Sequence, residues 1–303
     1  MQSRGFRAAY WPLDDDADAE TIDAYAAAAA AADVVVAEIG AWSNPISPDE
    51  RTRAAALELC KRRLALADRV GARCCVTLSG SRGDTWDGPH PDNLSPDTFA
   101  LIVDSVREII DAVEPRRTFY TLEPMPWTLP DSPDSYLELM SAVDRRQFAV
   151  HLDPTNLINS PAKFYDNAGL LRECFAKLGP HVKCCHAKDI TLAGELTVHL
   201  AEAIPGRGAL DYRVLLTEMD RLDPDTPILV EHLSEEWEYA EATASVFPRM
   251  RLIRSDAAER SHRPINQRPV TPQRASRLPS PSRTIGYVRP NLRTNLRASP
   301  VKS

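Results

Sequence analysis

Four short apolar stretches, each delivering a side chain able to bind a metal, constrain this chain most. Phe119-Tyr120-Thr121-Leu122 leads to Glu123 and is stopped by Pro124. Phe148-Ala149-Val150-His151-Leu152 leads to Asp153 and is stopped by Pro154. Val182 to Cys185 leads to His186, and Pro227 to Val230 leads to Glu231. The first three recur at about thirty residues, the length of a βαβ unit. Each stretch is rich in β-branched and apolar residues, as a buried strand is. Four such side chains at one level of four successive strands suggest a single site.

The rest of the chain reads as the scaffold for those strand ends. Three more strands are expected, over 6–11, 33–40 and 73–79, with helices between all of them. Serine-proline-aspartate recurs at Ser47-Pro48-Asp49, Ser95-Pro96-Asp97 and Ser132-Pro133-Asp134, each placed to start a helix. Thr21–Ala32 is alanine-rich and helical by propensity. A glycine-bearing stretch, Gly80–Leu94, is long enough for a functional loop. Strand and helix alternating in this way give parallel βαβ units and an α/β fold. A TIM (β/α) barrel wants eight strands and about 250 residues. The pattern supplies seven, the first almost at Met1, so the expectation is a barrel over 1–254 lacking its first β/α unit at the N-terminus. A natural seven-stranded variant is the alternative. Residues 255–303 are rich in Arg, Pro and Ser without hydrophobic period, and a disordered tail is expected there.

Charge separates the two parts. From Arg260 onward there are ten Lys or Arg and no Asp or Glu, so a chain of net charge −7 carries −17 over residues 1–259. An acidic body suits a cation and disfavours nucleic acid. No apolar run reaches the length of a bilayer span, and no apolar signal segment follows Met1, so a cytoplasmic protein without a membrane partner is expected. The six cysteines, Cys60, Cys74, Cys75, Cys174, Cys184 and Cys185, read as small buried thiols.

In a parallel barrel the C-terminal strand ends face one another across the mouth. Glu123, Asp153, His186 and Glu231 stand at that level. Three carboxylates and one imidazole favour Mn²⁺ or Mg²⁺, with Co²⁺ or Zn²⁺ also able to bind. Each residue taken alone is also a plain polar strand end; the matching positions argue for the metal.

Leu122-Glu123-Pro124, His151-Leu152-Asp153-Pro154 with Asn156, His186-Ala187-Lys188-Asp189 and Val230-Glu231-His232 together resemble the xylose isomerase-like TIM-barrel superfamily of sugar phosphate isomerases and epimerases. The resemblance covers roughly residues 5–250. It implies one divalent metal ion held by Glu123, Asp153, His186 and Glu231. It further implies that Glu123 and Glu231 are the acid/base pair, moving the proton α to a sugar carbonyl through an enediolate. A small-molecule sugar or sugar phosphate is the implied partner, and a homodimer the implied assembly.

Further candidates for substrate contact are His151, Asn156, Lys188, Arg207 and Trp127. His151 lies one layer below Asp153 on the same face, as a metal neighbour or a core histidine. Asn156 stands where many relatives carry histidine. Lys188 and Asp189 are read as pairing with each other or touching substrate. Arg207, in a glycine loop, is read as a clamp for phosphate or hydroxyl groups or as a solvated charge. Trp127 and Trp86 could wall a sugar or simply pack. His232 should point away from the site. Two other functions fit the same residues: a dehydratase of inosose type acting on a cyclic polyol, and a non-catalytic sugar-binding barrel.

Overall fold

The computed structural model describes residues 6–14 and 17–246, together with the backbone of Ile285–Gly286. Seven strands form one parallel sheet in chain order. They are β1 (Ala8–Tyr10), β2 (Val35–Gly40), β3 (Cys74–Thr77), β4 (Tyr120–Leu122), β5 (Phe148–Leu152), β6 (Val182–Ala187) and β9 (Ile228–Val230). Between β6 and β9 lies an antiparallel hairpin of β7 (Asp189–Leu192) and β8 (Leu200–Ala203). The seven parallel strands match those expected and nearly close into a barrel. The gap between β9 and β1 is bridged by β10 (Ile285–Gly286), which pairs parallel to β9 and lies beside β1. Apart from β10, the expected tail lies outside the described residues.

The helices follow from local chemistry. They are α1 (Ala19–Ala31), α2 (Glu50–Val70), α3 (Pro96–Val113), α4 (Pro133–Val143), α5 (Pro161–Tyr165), α6 (Asn167–Leu178), α7 (Tyr212–Met219) and α8 over 236–246. Ser95 caps α3 by accepting from Thr98 N, with Pro96 at the first turn. Ser132 caps α4 in the same way through Ser135, which returns the bond to the Ser132 backbone. The expected cap at Ser47 is displaced. Asp49 accepts from Thr52 N and caps α2, while Ser47 Oγ accepts from Asp49 N. The stronger acceptor lies two residues on, and the helix begins there.

On α2, Ala56, Cys60, Leu64 and Ala67 recur at helical spacing and are buried against the sheet. Ile102, Val103, Val106, Ile109 and Ile110 do the same from α3. Each fully buried Leu or Ile contributes about 1.5–3 kcal/mol. α1 is different: it has no buried residue and rests on alanine propensity.

Inside the sheet the core is narrow. Ala8, Ala37, Cys74, Cys184 and Leu229 pack together there, while Cys75 and Cys185 belong to the outer layer under the helices. The adjacent cysteine pairs therefore point to opposite faces, as strand geometry requires. All six thiols are free and buried. Among the described residues no helix is long and apolar enough to cross a membrane.

Two irregularities matter for the interior. Ala9 pairs with Val36 but Tyr10 pairs with Glu38, so β2 carries one extra residue at Ala37. Likewise Val150 pairs with Val182 but His151 with Cys184, which leaves Lys183 extra on β6. Such bulges re-aim the side chains that follow. The first turns Glu38 inward, and the second sets Cys184 and His186 on the inner face.

Candidate metal centre

Three of the four expected ligands are built onto strand ends by simple alternation, and His186 reaches the same face past the bulge at Lys183. On β4, Tyr120 and Leu122 pack outward, so Thr121 and Glu123 face in. On β5, Phe148, Val150 and Leu152 pack outward, and His151 and Asp153 face in. On β9, Ile228 and Val230 pack outward, which leaves Leu229 and then Glu231 inside. The register Cys185 with Ile228, His186 with Leu229 and Ala187 with Val230 brings β6 and β9 to one level.

His186 Nδ1 is the focus. It lies 2.8 Å from Glu231 Oε1, 3.4 Å from Glu123 Oε1 and 3.8 Å from Asp153 Oδ2. One donor atom from each of the four residues falls within 4.8 Å of all the others. Asp153 and His186 are wholly buried and Glu123 nearly so. Asp153 Oδ2, His186 Nδ1 and Glu231 Oε1 have no hydrogen-bond partner. Buried polar atoms are rarely left so. Three such atoms meeting at one point, two of them against the Lys188 ammonium, from an oxygen-rich set with one imidazole, fit a divalent cation that displaces a proton from the ring.

Lys188 reaches the same point. Its Nζ is 2.6 Å from Glu231 Oε1 and 2.7 Å from Asp153 Oδ2, as ion pairs off the hydrogen-bond direction. Longer contacts, each 3.4 Å, join it to Glu123 Oε1 and Asn156 Oδ1. Lys188 is thus placed against the carboxylates rather than against Asp189. Burial would raise the pKa of Glu231, but His186 and Lys188 outweigh it and hold the carboxyl at about 2. Glu123 feels burial and Glu231 pushing upward, yet Lys188 and His186 leave it below its ordinary value. Burial would lower Lys188; Asp153, Glu123 and Glu231 raise it well above the usual lysine range.

Asn156 Nδ2 donates to Glu123 Oε1 at 3.0 Å and so braces the ligand directly. His151 lies below His186, with ring centroids 4.1 Å apart and the rings edge to face. Its Nε2 bonds Glu38 Oε2 at 2.9 Å. Glu38 is the residue that sequence reasoning passed over. It is the one charged side chain in the apolar run Val34–Gly40, and that was the available signal. The bulge at Ala37 hides its inward direction.

Other candidates are placed elsewhere. Arg207 forms a two-point pair with Glu241, Nε to Oε1 at 2.6 Å and Nη2 to Oε2 at 2.7 Å, away from the cluster. Asp189 accepts from the backbone of Ile190, Gly206, Gly208 and Leu210, and so ties down the glycine loop. A Cβ at Gly208 would meet Asp189 Oδ1 at 2.3 Å, which explains the glycine. Trp127 is exposed and donates Nε1 to Asp87 O, while its own carbonyl accepts from Asn93. Trp86 is likewise partly exposed. His232 does not turn away as expected: with φ of +58°, its Nε2 lies 3.8 Å from Glu231 Oε1 and its Nδ1 3.1 Å from Glu202 Oε2.

A parallel β/α barrel with a buried carboxylate and imidazole cluster at its C-terminal strand ends defines the class. The chain belongs to the xylose isomerase-like TIM barrel family, which matches residues 3–255. No curated protein matches the sequence significantly. Among solved structures, an L-ribulose 3-epimerase superposes with a TM-score of 0.64 at 17% identity, covering 87% of this chain and 91% of that one. A xylose isomerase-like TIM barrel protein from Mycobacterium smegmatis in complex with magnesium gives 0.60 at 16% identity, with 84% and 86% covered. The probable 3-DHS dehydratase AsbF of Bacillus anthracis gives 0.56 at 19% identity, with 76% and 81% covered. At these identities the likeness is one of fold.

Proposed function

We propose that the chain is a divalent-metal-dependent isomerase or epimerase of sugars or sugar phosphates. Glu123, Asp153, His186 and Glu231 would hold the cation, with Mn²⁺ or Mg²⁺ best suited to the donor set. When bound, it supplies Lewis-acid polarisation of a substrate carbonyl.

The observation that carries this reading is the way the two glutamates are engaged. The shortest contacts of Glu123 and Glu231 in the cluster run through Oε1. Oε2 of each is left for proton transfer. One glutamate takes the proton α to the carbonyl, and the other returns it. Return to the opposite face of the same carbon is epimerisation; return to the neighbouring carbon is aldose–ketose isomerisation. Both carboxyls are held below the ordinary range by Lys188 and His186, so each is charged at neutral pH. Asn156 Nδ2 fixes Glu123 Oε1 and thereby the direction of its partner oxygen.

A dehydratase uses the same first step and then loses a hydroxyl from the carbon β to the carbonyl. One of the structural neighbours is a probable dehydratase, which supports this second reading. A screen of keto-sugars, their phosphates and inositol-type ketones in deuterated water with Mn²⁺, followed by NMR, separates the two. Deuterium at one carbon, with that carbon inverted or the carbonyl transposed, supports the proposal. Release of water with a new double bond supports dehydration, and no exchange with any substrate class counts against both.

A further inference from the structure

We infer that Glu38 is a positioning residue that fixes the ring tautomer of His186, and with it the lone pair offered at the cation site. The inference rests on the reading of Glu123, Asp153, His186 and Glu231 as ligands.

Glu38 is 1% exposed on β2, turned inward by the bulge at Ala37. Its partners are three groups able to donate a proton. His151 Nε2 is 2.9 Å from Oε2, Cys184 Sγ is 3.2 Å from Oε2, and His186 Nε2 is 3.4 Å from Oε1. Neither lysine nor arginine is among them. A carboxylate this deep is tolerated only when its lone pairs are taken up by donors. The ionised group can only accept, so each facing ring nitrogen must carry hydrogen.

That requirement settles the far side of the His186 ring. With hydrogen on Nε2, the neutral imidazole has its lone pair on Nδ1, the atom aimed at Glu231, Glu123 and Asp153. Metal-binding histidines commonly hold their second nitrogen in this way, and the acceptor also makes the ring a better donor to the metal. His151 belongs to the same device. Glu38 holds its Nε2, and its ring wedges edge-on against His186 at 4.1 Å between centroids. The ligand ring is therefore fixed in both tautomer and plane from below.

Glu38, His151 and Cys184 also lie close enough together to hold a cation of their own. The present contacts argue for the positioning role, since Glu38 already bonds both neighbours.

Two measurements test the assignment without any sugar. The first is imidazole ¹⁵N–¹H correlation on Zn²⁺-loaded protein with labelled histidine. The expected result is hydrogen on Nε2 of His186 and of His151. Hydrogen on Nδ1 of His186 overturns the proposal. The second is calorimetric Mn²⁺ binding to wild type and Glu38→Gln, with folding checked by circular dichroism. The amide keeps the shape but replaces one acceptor by a donor. The expected loss of affinity is about 10- to 100-fold at an unchanged stoichiometry of one. Equal affinity in the variant overturns the role. So does a second equivalent of metal in wild type that Glu38→Gln removes. If the variant does not fold, the tautomer in wild type decides. Wild type that binds Mn²⁺ but turns over no sugar refutes the proposed reaction and leaves Glu38 standing; wild type that binds no metal refutes both.

Discussion

Lys188 Nζ lies 2.6 Å from Glu231 Oε1, deep in the barrel mouth where both side chains are almost closed off from solvent. The contact links one position on β6's extension to the end of β9. It sets one ammonium among three carboxylates, and together with His186 it is the positive charge that their burial requires.

Removing that ammonium should therefore be costly. Lys188→Met leaves Glu123, Asp153 and Glu231 facing one another with His186 as their main counterweight. Breaking a buried pair from one side costs about 3–5 kcal/mol. The metal-free variant should unfold at lower denaturant than wild type by that amount. Mn²⁺ should recover more stability in the variant than in wild type, because the added charge replaces the lost one. Equal denaturation midpoints would show that Lys188 carries no such burden.

Glu123→Gln and Glu231→Gln should each lower α-proton exchange by at least about a hundredfold, the usual scale for losing a general acid or base. The fold should be kept, since each glutamine occupies the same volume. Deuterium incorporation by NMR, with circular dichroism as the control, checks this. Exchange at the wild-type rate in both variants would remove the acid/base assignment.

How much of this was legible beforehand differs by residue. Glu123, Asp153 and Glu231 could be read because plain alternation survives on β4, β5 and β9, with proline stops after the first two; His186 could be read because the bulge at Lys183 precedes it and leaves it a strand-end ligand all the same. Glu38 could not, because the bulge at Ala37 breaks the period of two that such reading depends on. For Arg207 the glycine neighbours leave a clamp and a solvated charge equally open. Its real partner, Glu241, is 34 residues away on α8, a distance that no local pattern reports. The hairpin of β7 and β8 has no local signature, since Asp189–Leu192 continues the β6 stretch without a turn signal. The pairing of Ile285–Gly286 beside β9 lies in a segment whose composition argues against any strand.

Asp189 offers a prediction about the loop after β8. Its carboxylate accepts from four backbone N–H groups, at 2.8–3.0 Å. Asp189→Ala should cost on the order of 3 kcal/mol, because several buried donors lose their acceptor at once. Amide hydrogen exchange at Gly206, Gly208 and Leu210 should rise well above that of β5 amides. Unchanged protection there would mean that the loop is held by something else.

Tyr136 ties β4 to β5 directly beneath the site. Its hydroxyl faces Leu122 O at 2.7 Å and Ala149 O at 3.0 Å, and accepts from the backbone N–H of Leu122 and His151. Tyr136→Phe leaves these groups short of a partner and should cost about 1–3 kcal/mol. Urea denaturation of the purified variant measures it. A loss below a few tenths of a kcal/mol would show that the strands register without the hydroxyl.

Calorimetric titration of metal-free protein with MnCl₂ tests the central claim most directly. Wild type should take up one equivalent, and the Asp153→Asn/His186→Ala variant, folded by circular dichroism, should take up none. No uptake by wild type, or the same uptake by the variant, would contradict the claim that these strand ends form a metal centre.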